Sequence, residues 1–211
     1  LGVGELVGEL PGVVEGHGVE TPPRGRLAVD LEGAAPRCHD LAGLGIAADD
    51  AIFGPQFTDP QVGYAAYLDV ESAIRYYLIN ELFKNVDGNL RLSTYLYKKR
   101  GGKLFFGPVW DFDLAIGNVN YDGADLVQGW HTRTAPWFTR LFQDPAFSAQ
   151  VKARWAEMKR DKVVDALFTH VSARQAYLNK VQVRNFAKWP ILSTWVWPNR
   201  VVTGSYDGEI N

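Results

Sequence analysis

The pattern of apolar and polar positions becomes readable from Asp69 onward. "DVESAIRYYLINELFKN" sets Val70, Ile74, Tyr77, Leu78 and Leu82 on a 3.6-residue repeat behind an aspartate suited to an N-cap. It predicts a helix stopped by Asn85 and Gly88. "STYLYK" and "KLFF" are β-prone, and the "KRGG" between them is turn chemistry, so a hairpin of roughly five residues a side is expected. "SAQVKARWAEMKR" and "DKVVDALFTHVSARQAYLNKVQVRNFAKW" predict two further helices. The second carries Val164, Leu167, Phe168, Val171 and Leu178 in helical period. Pro190 and Pro198 then break the helix. Ahead of residue 69 the pattern is weaker. "LGVGELVGELPGVVEGHGVETPPRG" has short apolar runs cut by Gly and Pro, which suggests weak strands or irregular loops. "APRCHDLAGLGIAADDAIFGPQFTDPQ" reads as a loop with at most one short helix. The resulting fold class is α+β, a hairpin lying on a largely helical lobe.

Composition divides the chain in the same way. Residues 1–65 hold ten acids and three bases, whereas the remainder holds 14 acids and 19 bases. No Trp or Tyr precedes Tyr64, and all seven tryptophans follow residue 109. A boundary is therefore expected near residue 63, between a Gly-rich acidic segment, 1–63, and a second unit, 64–211. The chain, 211 residues long and 46% hydrophobic, is large enough to bury a core. No apolar run reaches the roughly 18 residues of a membrane span, and the first thirty residues lack the pattern of a signal peptide. A single cysteine, Cys38, excludes an intrachain disulfide framework and a cysteine-rich zinc site. A carboxylate site for magnesium or calcium remains open.

That possibility centres on three aspartates at the two ends of the hairpin. Folding the strands about Gly101 and Gly102 puts Ser93 opposite a residue near 108, so Asp87 and Asp111 both emerge at the open end. Paired strands lie ~4.8 Å apart, which brings two acids 24 residues apart in sequence within reach of one ion. Asp111 and Asp113 flank Phe112 and would face opposite ways in extended backbone; a turn here would bring both round one ion or leave only one as a ligand. Clustered carboxylates repel and raise one another's pKa unless a cation neutralises them. On pattern alone the three acids serve equally well as ordinary turn residues, because Asp and Gly dominate turns for local reasons.

"YLDVESAIRYYLINELFKNVDG", "STYLYKKRGGKLFFGPVWDFDLAIGN" and "WFTRLFQDPAFSAQVKARW" together resemble the spore coat protein H (CotH) kinase family, from about Tyr64 to the end; "GPVWDFDLAIGN" is the most specific piece. The resemblance implies an atypical protein kinase with a kinase-like C-terminal lobe, transferring phosphate from ATP to Ser or Thr of a coat or surface protein. Magnesium or manganese would be the metal and ATP the co-substrate. It further implies Asp87 as the catalytic aspartate that orients or deprotonates the acceptor hydroxyl. Asp111 would be the principal metal ligand and Asp113 a second acid beside the metal. Ser93 takes the place where ordinary kinases use an Asn for the second ion, with Asn118 and Asn89 as further candidates. An extracellular or spore-surface location follows from the same resemblance.

The chain departs from a complete kinase in having no lysine before Lys84, where the nucleotide lobe should supply one for the ATP phosphates. Arg24, Arg26 and Arg37 could stand in only as charges of different geometry. The N-terminal lobe is thus expected to be incomplete or divergent and the C-terminus truncated, the chain being either a fragment or a divergent member that has lost its nucleotide lobe. Two alternatives accompany the kinase reading: a non-catalytic surface or spore-coat binding module, and a carboxylate- and metal-dependent hydrolase. The basic cluster Lys98, Lys99, Arg100 and Lys103 at the hairpin tip reads as a solvated edge. Trp189, Trp195 and Trp197 read as core or lobe-packing residues rather than a sugar platform. His131 is expected to be structural or exposed. Gly2, Gly4 and Gly8 miss the spacing of a phosphate loop, and Cys38 has no activating neighbour beyond His39. Nucleic-acid binding finds no motif in this acidic chain.

Overall fold

The structure, a computed structural model, describes residues 26–27, 47–90 and 92–210. The expectations placed on Gly2, Gly4, Gly8, Arg24, Arg37 and Cys38 lie outside the described residues, as does most of the acidic segment. The elements in chain order are strand β1 (Arg26–Leu27) and helix α1 (residues 47–53), followed by α2 (Tyr64–Tyr67) and α3 (Val70–Phe83). The hairpin strands β2 (Tyr95–Lys98) and β3 (Leu104–Phe106) come next, then a 3-10 turn (Thr132–Thr134). Four more helices complete the chain: α4 (Pro136–Leu141), α5 (Pro145–Arg160), α6 (Val163–Lys188) and α7 (Tyr206–Ile210). The fold is mixed α+β, about half of the described residues being helical, with a small sheet ordered β1-β2-β3. β2 and β3 are antiparallel, with Leu96 opposite Phe106, and β1 runs parallel to β2.

Helix α3 is the axis. Asp69 caps it as expected, its side chain accepting from the Ser72 N–H at 2.8 Å. The same end is fastened to the sheet: the Asp69 N–H donates to the Leu104 carbonyl, and the Phe106 N–H donates to Ser72 Oγ. The helix stops where Lys84 takes a left-handed conformation, one residue ahead of the expected Asn85. Its inner face (Ala73, Ile74, Tyr76, Tyr77, Leu78) packs on Phe106, Phe138, Leu141 and Phe147 in one apolar core. Tyr76 sits 4.9 Å from the Phe106 ring, and Tyr77 5.4 Å from that of Phe138, so aromatic contacts join helix, sheet and α4.

Residues ahead of the composition change share this core. Ala48 and Ile52 of α1 are buried in it, and Trp137 Nε1 donates to Asp49 at 2.7 Å. The Arg140 guanidinium reaches the carbonyls of Ile52 and Gly54. Among the described residues no helix is long and apolar enough to cross a membrane.

The C-terminal part corrects one expectation. α6 forms over nearly the predicted span, but none of its residues is buried: Phe168 is 72% exposed and Leu178 44%. Trp189, Trp195 and Trp197 are each more than half exposed, not core or lobe-packing residues. Helical periodicity specifies a stripe but not what covers it; here α6 meets α5 at one end and α7 through a Phe186–Tyr206 ring contact. Phe138→Ala should therefore cost about 3–5 kcal/mol by denaturant unfolding. Phe168→Ala should stay within about 0.5 kcal/mol, and the reverse order would contradict this assignment of the core.

Candidate active site: an acidic cluster at the open end of the hairpin

Two backbone hydrogen bonds assemble the site. The Val86 N–H donates to the Leu114 carbonyl at 3.3 Å, and the Ile116 N–H to the Phe83 carbonyl at 2.8 Å. They join the chain leaving α3 to the chain leaving β3. Phe83 meets Phe112 edge-on at 5.7 Å, and a small apolar cluster of Val86, Val119 and Ala124 lies beneath the junction. Asp87 and the Asp111–Asp113 segment are thereby placed side by side.

Asp111 has φ +63°, a left-handed conformation uncommon outside glycine. This bears on the question left by extended geometry: the backbone turns at Asp111, and the Asp111 carboxylate is close enough to raise the pKa of Asp113. Ser93, itself at φ 46°, donates from Oγ to Asp111 Oδ2 at 2.7 Å. The indole of Trp110 holds the Ser93 carbonyl at 3.1 Å and packs on the Tyr95 ring. Three backbone or side-chain constraints thus fix the Ser93–Asp111 pair, and left-handed non-glycine residues of this kind concentrate at functional sites.

The electrostatics show one charge cluster. Burial pushes the Asp87 carboxyl above its ordinary range, the negative charges of Asp111 and Asp113 push it further, and His131 partly offsets them. Asp113 is also raised, by burial and then by Asp111, although its own N–H and that of Leu114 oppose the shift. Tyr121 joins the group: burial, then Asp87, Asp113 and Asp122 raise its hydroxyl pKa. Sequence reasoning missed Tyr121, which lies in a turn-rich stretch with no periodic signal.

The asparagine candidates are placed differently. Asn118 donates through its amide to the Asp113 backbone carbonyl at 2.8 Å and to Asn199 at 3.2 Å, which braces the loop. Asn89 is buried and its Oδ1 has no hydrogen-bond partner among the described residues. Asp87, Asp111, Asp113 and Ser93 are brought together, then, while Asn118 reaches the backbone of Asp113. Lys84 is committed elsewhere, its ammonium held by the carbonyls of Gly123, Leu126 and Gln128. Of the hairpin-tip bases, Lys99, Arg100 and Lys103 are exposed as expected, whereas Lys98 is half-buried.

Among the described residues, no three His, Cys, Asp or Glu side chains form a ready-made metal cage. The paired acids with Ser93 suit a different ion: magnesium needs only one or two carboxylates when phosphate oxygens complete its shell. Mutually repelling carboxyls with raised pKa values are the donor chemistry such an ion would neutralise. The sign for stability follows. A carboxyl with a raised folded-state pKa binds its proton more tightly when folded, so it costs nothing below about pH 4, where both states are protonated. The cost grows as pH climbs from there through the raised folded-state value. At neutral pH without divalent ions, Asp87→Asn should therefore melt at or above wild type, and the gap should close below about pH 4. Saturating magnesium or manganese, at ~100 times its dissociation constant, should raise the wild-type Tm by about 5–10 °C and that of Asp111→Ala far less.

A family model described as CotH kinase protein matches residues 50–211, about three quarters of the chain. The match takes in α3, the hairpin and every residue of the acidic cluster, and begins ahead of the composition change near residue 63. No curated protein and no solved structure matches. The chain belongs to the CotH kinase family.

Proposed function

We propose that this is an atypical Ser/Thr kinase domain with a kinase-like C-terminal lobe. It would transfer the γ-phosphoryl group of ATP, with magnesium or manganese, to a hydroxyl of a coat or surface protein. The observation that carries the reading is the convergence of Asp87 with the Asp111–Asp113 pair across 24 residues of sequence, with a left-handed turn devoted to it. Family membership supports the reaction class.

The residues divide the work by position. Asp87 comes from the loop after α3 and is not part of the Ser93–Asp111 hydrogen bond, so it suits the acceptor hydroxyl. Its raised pKa makes it a stronger base toward that proton than an ordinary aspartate. Asp111 and Asp113 would hold the ion, with the Ser93 hydroxyl fixing the orientation of the Asp111 carboxylate. When bound, the ion supplies neutralisation of phosphate charge, the principal demand of phosphoryl transfer. Trp110 and Phe112 anchor the segment so that the acids keep their relation without adjustment.

The non-catalytic binding module is the second reading. It draws on the engagement of Lys84 with three loop carbonyls. Incubation with labelled ATP and magnesium or manganese separates the two. The kinase reading expects label on protein, reduced about 100-fold or more in Asp87→Ala and Asp111→Ala. No nucleotide binding by calorimetry would sink it and favour the binding module.

A further inference from the structure

Carbonyls on both sides of Asp87 are held: that of Val86, in the peptide entering Asp87, and that of Gly88, one peptide beyond it. On one side, the His131 ring approaches the Val86 carbonyl with Nε2 at 3.1 Å; as a carbonyl only accepts, Nε2 carries the hydrogen. On the other side, the Tyr76 hydroxyl donates to the Gly88 carbonyl at 3.1 Å and is within 2.9 Å of Thr94 Oγ1. His131 and Tyr76 are both buried, at 6% and 2% exposure. Asp87 lies between the two clamped carbonyls.

His131 is itself fixed by the end of α3. The Glu81 carboxylate accepts from the backbone N–H of His131 at 2.7 Å and of Arg133 at 2.9 Å. It thereby satisfies the amide end of the 3-10 turn, and the imidazole makes no capping bond there. The ring is left to reach 45 residues back along the chain. Gly88 closes the arrangement: a Cβ there would lie 2.0 Å from Asn80 Oδ1, which already accepts from Asn85. No larger residue fits at that point without displacing the buried amides.

We infer that His131 is a positioning residue for Asp87, acting with Tyr76 as a two-sided clamp on the backbone that carries the catalytic carboxylate. Its role as an aid to catalysis rests on the kinase reading; its hold on the loop does not. His131 touches no reacting atom. Its task is to keep the Asp87 backbone in one place when a hydroxyl and a charged ion compete for the carboxylate. A displacement of about 1 Å at such a group can lower turnover on the order of 100-fold without altering substrate affinity.

Two readouts test this on the full chain. His131→Phe keeps a ring and loses the donor, whereas His131→Gln restores an amide N–H at similar reach. Tyr76→Phe removes the opposite bond while keeping the core ring. Amide exchange over residues 85–90 should accelerate at least about tenfold in His131→Phe and in Tyr76→Phe, with α3 unchanged, and stay near wild type in His131→Gln. Turnover with ATP should fall about 10- to 100-fold in His131→Phe with KM within about twofold, and recover in His131→Gln. Wild-type exchange over residues 85–90 in folded His131→Phe, or in Tyr76→Phe should His131→Phe not fold, would overturn the clamp. Loss in His131→Gln equal to that in His131→Phe would overturn it too. Loosened exchange in His131→Phe, together with a wild type that transfers no phosphate, would uphold the clamp and reject the kinase reading.

Discussion

Everything proposed for this chain depends on the pair of backbone hydrogen bonds joining residues 83 and 86 to residues 116 and 114. They are ordinary main-chain bonds, but they close a loop containing the whole hairpin. Without them Asp87 and the Asp111–Asp113 segment would leave the sheet as two independent strands. With them, one acid from each end of the hairpin faces the same space. The apolar contacts of Phe83 with Phe112 and of Val86 with Val119 and Ala124 keep water from competing for these bonds.

The cluster so formed is unfavourable taken alone. Three clustered carboxylates, of which Asp87 is half-buried, repel one another, and the raised pKa values of Asp87 and Asp113 express that. A fold tolerates such a group where surrounding structure over-determines it, and here it does. Asp111 is held in a left-handed conformation by Ser93, which is held by Trp110. Asp87 lies between carbonyls bound by His131 and Tyr76. The stiff core of α3, α4 and α5 supplies the stability against which this local cost is set.

Much of this was legible in the sequence, and the limits are physical. Helices α3, α5 and α6 declared themselves because each spans several turns, enough for a 3.6-residue repeat to show. The hairpin showed through β-prone runs about a Gly-Gly turn. α4 has six residues, too few for a repeat, and went unread. The three acids were picked out by their spacing, and a turn beside Asp111 stayed one of two options, because residue type favours but does not fix positive φ. Tyr121 and the His131–Val86 bond depend on tertiary placement of a turn-rich segment and leave no local pattern. The tryptophans misled for a related reason: their size argues for burial, yet burial needs an opposing surface that composition does not describe.

The most direct measurement of the central claim is paramagnetic broadening of amide resonances by manganese in the presence of ATP. The account predicts selective broadening at residues 87, 93 and 111–113, weak effects at the hairpin tip around residues 99–103, and loss of the pattern in Asp111→Ala. Broadening spread over exposed acids elsewhere, or unchanged in Asp111→Ala, would contradict it.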